Sequence, residues 1–172
     1  MSEPTRTELE PVFGMFGVAV HQAQQLEHGL QLLLQMIDEQ RQRDGKPPRQ
    51  RPNLDAPDAP RTAGCLLKEL DAATHLTDAE RKAIQAGIRK RNFLVHSYWH
   101  GDRILAMLTV KGRRWLIDDL DKLREVCRKA SRIVDGLIND CLRAYGLTID
   151  QLSEPRIREY EGDQDVPPEV LH

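Results

Sequence analysis

A chain of 172 residues has the length of one ordinary domain and can bury an apolar core without help from metals or disulfides. Its net charge of −2 excludes a protein-wide field that attracts nucleic acid, so a contact with RNA or DNA has to come from a local basic patch. Charged residues make up 30% of the chain and aromatic residues only 5%, which favours a helical bundle over a β-sandwich.

The cysteines and the lack of long apolar runs indicate the cellular setting. Cys65, Cys127 and Cys141 are far apart and contain no C-x-x-C pair, so they predict neither a zinc site nor a disulfide framework. A reducing cytoplasm fits this pattern best. The polar, acid-containing start MSEPTRTELEP does not resemble a signal peptide. No apolar run reaches the ~18 residues that a membrane span needs, so we expect no membrane contact.

The first 60 residues predict one long helix followed by a loop. Apolar residues recur at helical spacing from about Pro11 to Arg43, which predicts the first helix. Residues 41–60 hold five of the ten prolines and therefore predict a long loop. The basic residues in the first half of this loop fit either a solvated linker or a flexible arm that contacts phosphates. The periodic apolar residues of the helix are Val18, Leu26, Leu30, Leu33, Leu34 and Ile37.

Two helices and one ambiguous segment are predicted in the middle of the chain. The second helix covers about residues 62–73. The pattern Thr77-Asp-Ala-Glu80 is a capping box that opens a third helix, which we expect to run to about Trp99. Residues 103–116 show a weak alternation of apolar residues, which predicts either a small hairpin or a loop.

The remaining sequence completes an all-α prediction. A fourth helix is predicted from about Ile117 to Tyr145, and residues 147–172 are rich in acids and read as an extended, flexible tail. Residues 1–146 are therefore expected to form one bundle of about four main helices with antiparallel neighbours. The Pro-rich loop and the small hairpin would lie inside this bundle.

The stretch RNFLVHSYW, residues 91–99, places a charge in an apolar stripe. At about 100° per residue, Arg91 lies within roughly 80° of the apolar members of the third helix. A buried charge costs several kcal/mol unless a partner compensates it. A structural explanation is an ion pair with an acid of another helix, such as Asp119 or Asp121. The other members of the stripe are Ile84, Ile88, Val95 and Tyr98.

Polar neighbours of Arg91 suggest a chemical explanation instead. Asn92, His96 and Tyr98 lie on the same or an adjoining face of the helix. A histidine can exchange protons with RNA hydroxyls, and an arginine can stabilise charge that develops on phosphate oxygens. Cleavage needs two proton transfers, so one histidine per chain is sufficient only if a two-fold dimer brings two of them to one cleft.

The same residues carry a resemblance to a known family. Arg91-Asn-Phe-Leu-Val-His96 matches the R-x4-6-H motif of HEPN domains, including the polar residue directly after the arginine. With Tyr98 the pattern becomes R-x4-H-x-Y, which resembles the toxin subunit of HEPN/MNT toxin–antitoxin pairs. Another HEPN branch, such as a phage-defence or RNA-processing nuclease, fits equally well.

The resemblance implies a fold, an activity and site residues. HEPN proteins are α-helical bundles, commonly homodimers, and many are metal-independent endoribonucleases. Carried over, Arg91 and His96 would be catalytic at a dimer interface, with Asn92 supporting them. In the HEPN/MNT pairs a nucleotidyltransferase antitoxin modifies the motif tyrosine with AMP, and by position that residue would be Tyr98.

Basic residues that flank the motif are candidates for an RNA-binding rim. His96 and His100 have the i, i+4 spacing of a metal pair, but no third ligand is evident, so we expect neither a metal nor another cofactor. The candidates for the rim are Arg89, Lys90, Arg103, Arg113 and Arg114.

Two functions follow from these features. The first is an endoribonuclease, a toxin or phage-defence effector, that leaves a 2′,3′-cyclic phosphate and a 5′-hydroxyl. The second is a non-catalytic HEPN-like module that dimerises or binds a partner, in which Arg91 and His96 are structural. An open cleft lined by both residues at a two-fold axis favours the enzyme, whereas an arginine held against an internal carboxylate favours the module.

Overall fold

The computed structural model describes residues 4–47 and 63–147, and α-helices make up most of both ranges. No strand occurs within these ranges, so the predicted all-α class is confirmed. Most of the Pro-rich loop, and all of the acidic tail after Leu147, lie outside the described residues. The helices are α1 (Arg6–Arg43), α2 (Ala63–Ala73), α3 (Asp78–His96), α4 (Asp102–Ala106) and α5 (Val110–Ala144).

Helix α1 begins five residues before its predicted start because a capping box precedes it. The carboxylate of Glu8 accepts a hydrogen bond from the backbone amide of Thr5 at 2.8 Å. This bond satisfies an amide that the helix itself leaves unpaired. Pro11, which suggested the start of the helix, lies inside it and contributes no amide hydrogen there.

The capping box predicted for α3 is confirmed. The carboxylate of Glu80 accepts from the Thr77 amide at 2.8 Å, and the Thr77 hydroxyl accepts from the Glu80 amide at 3.3 Å. The helix ends at His96, three residues before the predicted end at Trp99.

The hairpin suggested for residues 103–116 is wrong. The segment contains α4 and the first turns of α5, which begins at Val110 because the hydroxyl of Thr109 accepts from the Gly112 amide at 3.0 Å. A Cβ at Gly112 would lie 2.1 Å from the carbonyl oxygen of Ala106. Glycine therefore lets the end of α4 pack directly on the first turn of α5. The weak alternation of apolar residues in this segment did not indicate the N-cap at Thr109.

The most extensive helix contact joins α1 and α5, which run parallel to each other. Near their beginnings Arg113 donates to the Glu8 carboxylate at 2.6 Å. Near their ends the Arg43 guanidinium lies 4.6 Å from the centre of the Tyr145 ring. The expected antiparallel arrangement therefore does not hold for this pair, since the two helices are not consecutive in the chain. Helix α3 packs on both.

Buried apolar residues form two clusters along the bundle. The first cluster includes Leu26, Leu30, Leu33, Leu70, Ile84, Ile88, Ala130 and Val134, from α1, α2, α3 and α5. The second cluster contains Val12, Ala19, Ala23, Leu94, Tyr98, Leu116, Leu120, Leu123 and Cys127.

Gly87 lies where α3 crosses the other two long helices. A Cβ at this position would lie 2.5 Å from the Cβ of Ala130 and 2.8 Å from a methyl carbon of Leu26. The Ala130 methyl is attached directly to the α5 backbone, so the two helices would have to separate.

We expect Gly87→Ala to destabilise the protein and Gly136→Ala to stabilise it. Overpacking typically costs about 1–3 kcal/mol, which exceeds the gain of up to about 1 kcal/mol from the higher helix propensity of alanine. Gly136 is the matched control because it is an exposed glycine of α5 with open space around it. Urea unfolding measures both changes. A gain in the free energy of unfolding for both variants would contradict the close crossing at Gly87.

Candidate functional site

Arg91 is paired within the chain, and its partner is Glu27 of α1. One terminal nitrogen, Nη2, donates to the Glu27 carboxylate, and Nη1 donates to Oδ1 of Asn92 at 3.0 Å. The Arg91 side chain is 18% exposed and the Glu27 side chain is 19% exposed. The pair is therefore half-buried and screened less by solvent than a surface pair. The Nε atom of Arg91 is buried and makes no hydrogen bond within the described residues.

The acids proposed from the sequence as partners of Arg91 are engaged elsewhere. Asp119 accepts from Arg103 at 3.0 Å, and Asp121 pairs with Arg124 at 2.8 Å. That prediction is wrong because both acids lie on α5, whereas the Arg91 side chain reaches α1.

Glu27 is the residue of the site that sequence reasoning missed, although its signal was present. On α1 it lies four residues after Ala23 and three before Leu30, both buried, so it interrupts the apolar stripe of its own helix. Arg91 interrupts the stripe of α3 in the same way. An acid and a base that interrupt the buried faces of two helices are expected to meet, because each compensates the desolvation of the other.

One member of the apolar stripe of α3 faces solvent beyond Arg91, although Tyr98 further along the chain is buried. Val95, predicted to be buried, is 44% exposed, and Leu94 is buried in its place. His96, the last residue of the helix, is also exposed. The polar residues of the motif thus lie beside an apolar side chain that the rest of the described chain leaves uncovered.

Arg91 and His96 are not stacked over each other within one chain. Their positions differ by five residues, which is about 140° around a helix. Asn92 connects them in sequence, since it accepts from Arg91 and precedes His96 by one helical turn. The guanidinium thus points toward α1, and the imidazole lies at the exposed edge of the same helix end.

Tyr98 is buried, with 1% of its surface exposed. Its hydroxyl donates to the carbonyl oxygen of Leu116 at 3.3 Å, and the rings of Phe16 and Trp99 lie 5.6 and 5.0 Å from its own. Burial, followed by the nearby Asp119 carboxylate, raises the pKa of Tyr98 to about 12. Transfer of AMP to this hydroxyl would require the aromatic cluster to open.

Two of the five residues predicted for the RNA-binding rim have structural partners instead. Arg103 pairs with Asp119 and lies 4.9 Å from the centre of the Phe93 ring. Arg113 is buried, where it donates to the Met107 carbonyl at 3.0 Å and to Glu8. The three rim residues that are exposed are Arg89, Lys90 and Arg114.

An exposed apolar surface follows the motif in the chain. It comprises five large exposed side chains from α4, the short connection after it and the beginning of α5, and these side chains lie outside both core clusters. Several large apolar side chains exposed within one short segment are typical of regions that contact other molecules. We call this surface the α4 patch, and its members are Ile104, Leu105, Leu108, Val110 and Trp115.

Neither a metal cluster nor a membrane span is found in the part of the chain that the structure describes. Within residues 4–47 and 63–147, His96 and His100 belong to no group of three or more metal-ligating side chains. In the same ranges no helix combines the length and the apolar character that crossing a bilayer requires.

The comparisons with known proteins found no relative: the chain matches no family model, no curated protein and no solved structure. The resemblance to HEPN domains therefore stays a prediction that depends on the residues of the motif.

A double-mutant cycle measures the coupling between Glu27 and Arg91. We expect Glu27→Gln and Arg91→Gln each to lower the free energy of unfolding by about 1–3 kcal/mol, because each leaves a half-buried charge without its partner. The double variant should lose less than the sum of the two single losses. The exposed pair of Arg6 and Glu10 is the control and should show no measurable coupling. Additive losses at Glu27 and Arg91 would contradict an energetically significant pair.

Tyr98 makes the stability of the protein fall at alkaline pH. Because its pKa in the folded chain is about 12, above the ordinary value of 10.0, its contribution is complete below pH 10 and is lost as the pH rises toward 12. Urea unfolding at pH 8 and pH 11 measures how much free energy of unfolding the protein loses between these values. This loss should be about 1 kcal/mol smaller in Tyr98→Phe than in the parent. Equal losses in the parent and the variant would mean that the hydroxyl ionises in the folded protein as it does in water.

Proposed function

We propose that the chain is a metal-independent endoribonuclease that acts as a homodimer, with Arg91 and His96 as its catalytic residues. The observation that carries this proposal is the arrangement at the end of α3. Glu27 and Asn92 hold an arginine in one orientation, and the exposed Val95 and His96 follow it on the same helix. An active site of this kind needs a charged side chain in a fixed orientation and an accessible side chain that acts as general acid or base.

The proposed reaction is an internal transfer at phosphorus. One His96 takes the proton of the ribose 2′-hydroxyl, and the 2′-oxygen attacks the adjacent phosphorus. The bond from phosphorus to the 5′-oxygen breaks, and a protonated histidine gives that oxygen its proton. The products are a 2′,3′-cyclic phosphate and a 5′-hydroxyl. Arg91 stabilises the negative charge on the non-bridging oxygens as the bonds change. The reaction consumes neither water nor a metal-bound nucleophile.

The proposed dimer supplies the second histidine that one chain lacks. A single chain contributes one histidine of this motif, and that histidine points about 140° away from the arginine around the helix. A two-fold axis near the end of α3 would place His96 of one chain across from Arg91 of the other. Val95 and the α4 patch supply exposed apolar surface that such an interface could bury.

The internal ion pair favours a second candidate, a non-catalytic module of the same fold that binds a partner. Glu27 already balances the charge of Arg91, so a structural role accounts for the arginine without any substrate. The enzyme remains the first candidate because the guanidinium has five N–H groups, and the bonds to Glu27 and Asn92 use one from each terminal nitrogen. The second N–H of each terminal nitrogen would bind a phosphate, while the carboxylate fixes the orientation of the group; the third remaining N–H, on Nε, is buried.

The cellular location and the HEPN branch of the protein are also part of the proposal. Cys127 and Cys141 are free thiols, which suits a reducing cytoplasm. Burial raises the pKa of Cys127 to about 11, so this thiol is a poor nucleophile at neutral pH. A toxin or a phage-defence effector would both use the proposed chemistry. The burial of Tyr98 gives no support to modification by a nucleotidyltransferase antitoxin.

The proposal is tested with a labelled structured RNA, purified protein and an excess of EDTA. We expect cleavage with cyclic phosphate ends, and a loss of about 10²–10⁴-fold in rate for His96→Ala, the range that general acid–base catalysis contributes. His100→Ala is the matched control, because His100 is an exposed histidine four residues further along that lies outside the motif. It should retain the parental rate.

The outcomes separate the two candidates. A parental chain that does not cut, or equal cutting by the parent and His96→Ala, removes the support for the enzyme. If the chain also sediments as a homodimer that Val95→Glu dissociates, the binding module becomes the better account. If the parent cuts only as a monomer, the shared cleft is wrong even though the activity is real.

A further inference from the structure

A long groove lies between α1 and α5 and is separate from the Arg91 site. Its volume is about 860 Å³, and it follows both helices from Gln22 and Arg128 at one end to Arg43 and Leu147 at the other. Leu32, at the middle of its α1 side, is 40% exposed. An open groove of this length suits a stretch of polypeptide better than a compact ligand.

The chain leaves α5 in the direction of this groove. Gly146 has a φ of +69°, and its amide donates to the carbonyl of Arg143 at 2.9 Å. The amide of Leu147 donates back to the carbonyl of Leu142 at 3.0 Å. These two bonds form a Schellman motif, which ends the helix and turns the chain back along it. Leu147, the last described residue, already lines the groove together with Leu142.

The chain beyond Leu147 is long enough to follow the groove to its other end. On α5 the groove extends from Leu142 to Arg128, which is about 21 Å at the rise of a helix. An extended segment covers this length in about seven residues, and a helical segment covers it in about 14. The sequence continues for 25 residues after Leu147.

The chemistry of that segment matches the groove. Residues 148–160 carry four large apolar side chains, which the exposed Leu32 and the partly buried Met36 could cover. The whole segment 148–172 has seven acidic residues against two arginines. The groove presents three arginines against two acids, and two of these arginines lie at its far end. The three arginines are Arg43, Arg128 and Arg132, the two acids are Glu39 and Asp135, and the four apolar residues are Ile149, Leu152, Ile157 and Tyr160.

We propose that residues 148–172 dock in the groove between α1 and α5 of their own chain. The apolar residues of the segment cover the middle of the groove. Acids in the range 154–161 then lie beside Arg128 and Arg132, at the distance that either an extended or a helical path gives. The hydroxyl of Tyr145, which is buried and has no hydrogen-bond partner in the described chain, gains an acceptor from the docked backbone.

Limited digestion with trypsin tests this docking in the full chain. Arg156 and Arg158 are the trypsin sites of the segment, and docking protects them. We expect Leu32→Glu to speed the release of residues 159–172 at least tenfold, because a charged side chain in the groove disfavours an apolar occupant. Mass spectrometry follows this peptide over time. Val18→Glu is the matched control, since Val18 is a 49%-exposed residue of the same helix that does not line the groove.

A second variant changes the docking segment, residues 148–172, instead of the groove. Leu152→Glu removes an apolar side chain from the segment and leaves the sequences of α1 and α5 unchanged, so it should speed release to the same extent as Leu32→Glu. Rapid cleavage in the parent, or protection that persists in both variants, would overturn the proposal. Protection that increases with protein concentration, together with a dimeric mass by light scattering, would show that a second copy fills the groove instead. None of these measurements depends on ribonuclease activity.

Discussion

The contact between Glu27 and Arg91 is the constraint on which the arrangement of α1 and α3 depends. It lies at the level where the two core clusters meet, because Ala23 and Leu94 belong to the second cluster whereas Leu26 and Ile88 belong to the first. Burying both side chains costs solvation free energy, which their attraction offsets only if the helices hold one register. A shift of α3 by one residue would separate the charges and expose the apolar contacts on both sides. The pair therefore contributes more to the register of the helices than to the gross stability of the bundle.

On the side of the Glu27–Arg91 pair where the second core cluster lies, the end of the bundle is organised around Tyr98 rather than around aliphatic side chains. The aromatic rings of α1 and α3 meet there, and Arg103 lies 5.0 Å from the centre of the Tyr98 ring. Arg103 and Arg113 stabilise the same region by binding Asp119 and Glu8, so two cations that looked available for a ligand hold α4 and α5 in place. The exposed α4 patch is supported by this rigid base, which is the arrangement that a recognition surface needs.

Local patterns predicted four of the five described helices and missed α4, whereas partners across the bundle were not predictable from them. The capping box at Thr77 and the apolar periodicity of α1 and α5 act within a few residues, so the sequence displays them directly. The partner of Arg91 lies 64 positions away and depends on which faces of α1 and α3 meet. The exposure of Val95 likewise depends on which face of α3 the neighbouring helices cover, which the apolar pattern of α3 does not show. The arginine in the stripe was correctly identified as unusual, but its acid could be found only after both stripes had been compared.

The ion pair is compatible with both candidate functions, and the reason is physical. An arginine that must stabilise a transition state has to be oriented before the substrate arrives, and a carboxylate on a neighbouring helix provides that orientation. The same carboxylate weakens the attraction between the guanidinium and a phosphate, so Arg91 would have to bind RNA through the N–H groups that Glu27 and Asn92 leave free. A two-fold dimer would add a second imidazole to the same cleft, whereas its second guanidinium would be balanced by a Glu27 of its own. If the chain cleaves RNA, the reaction would therefore depend on assembly, because the second proton transfer needs the histidine of the other subunit.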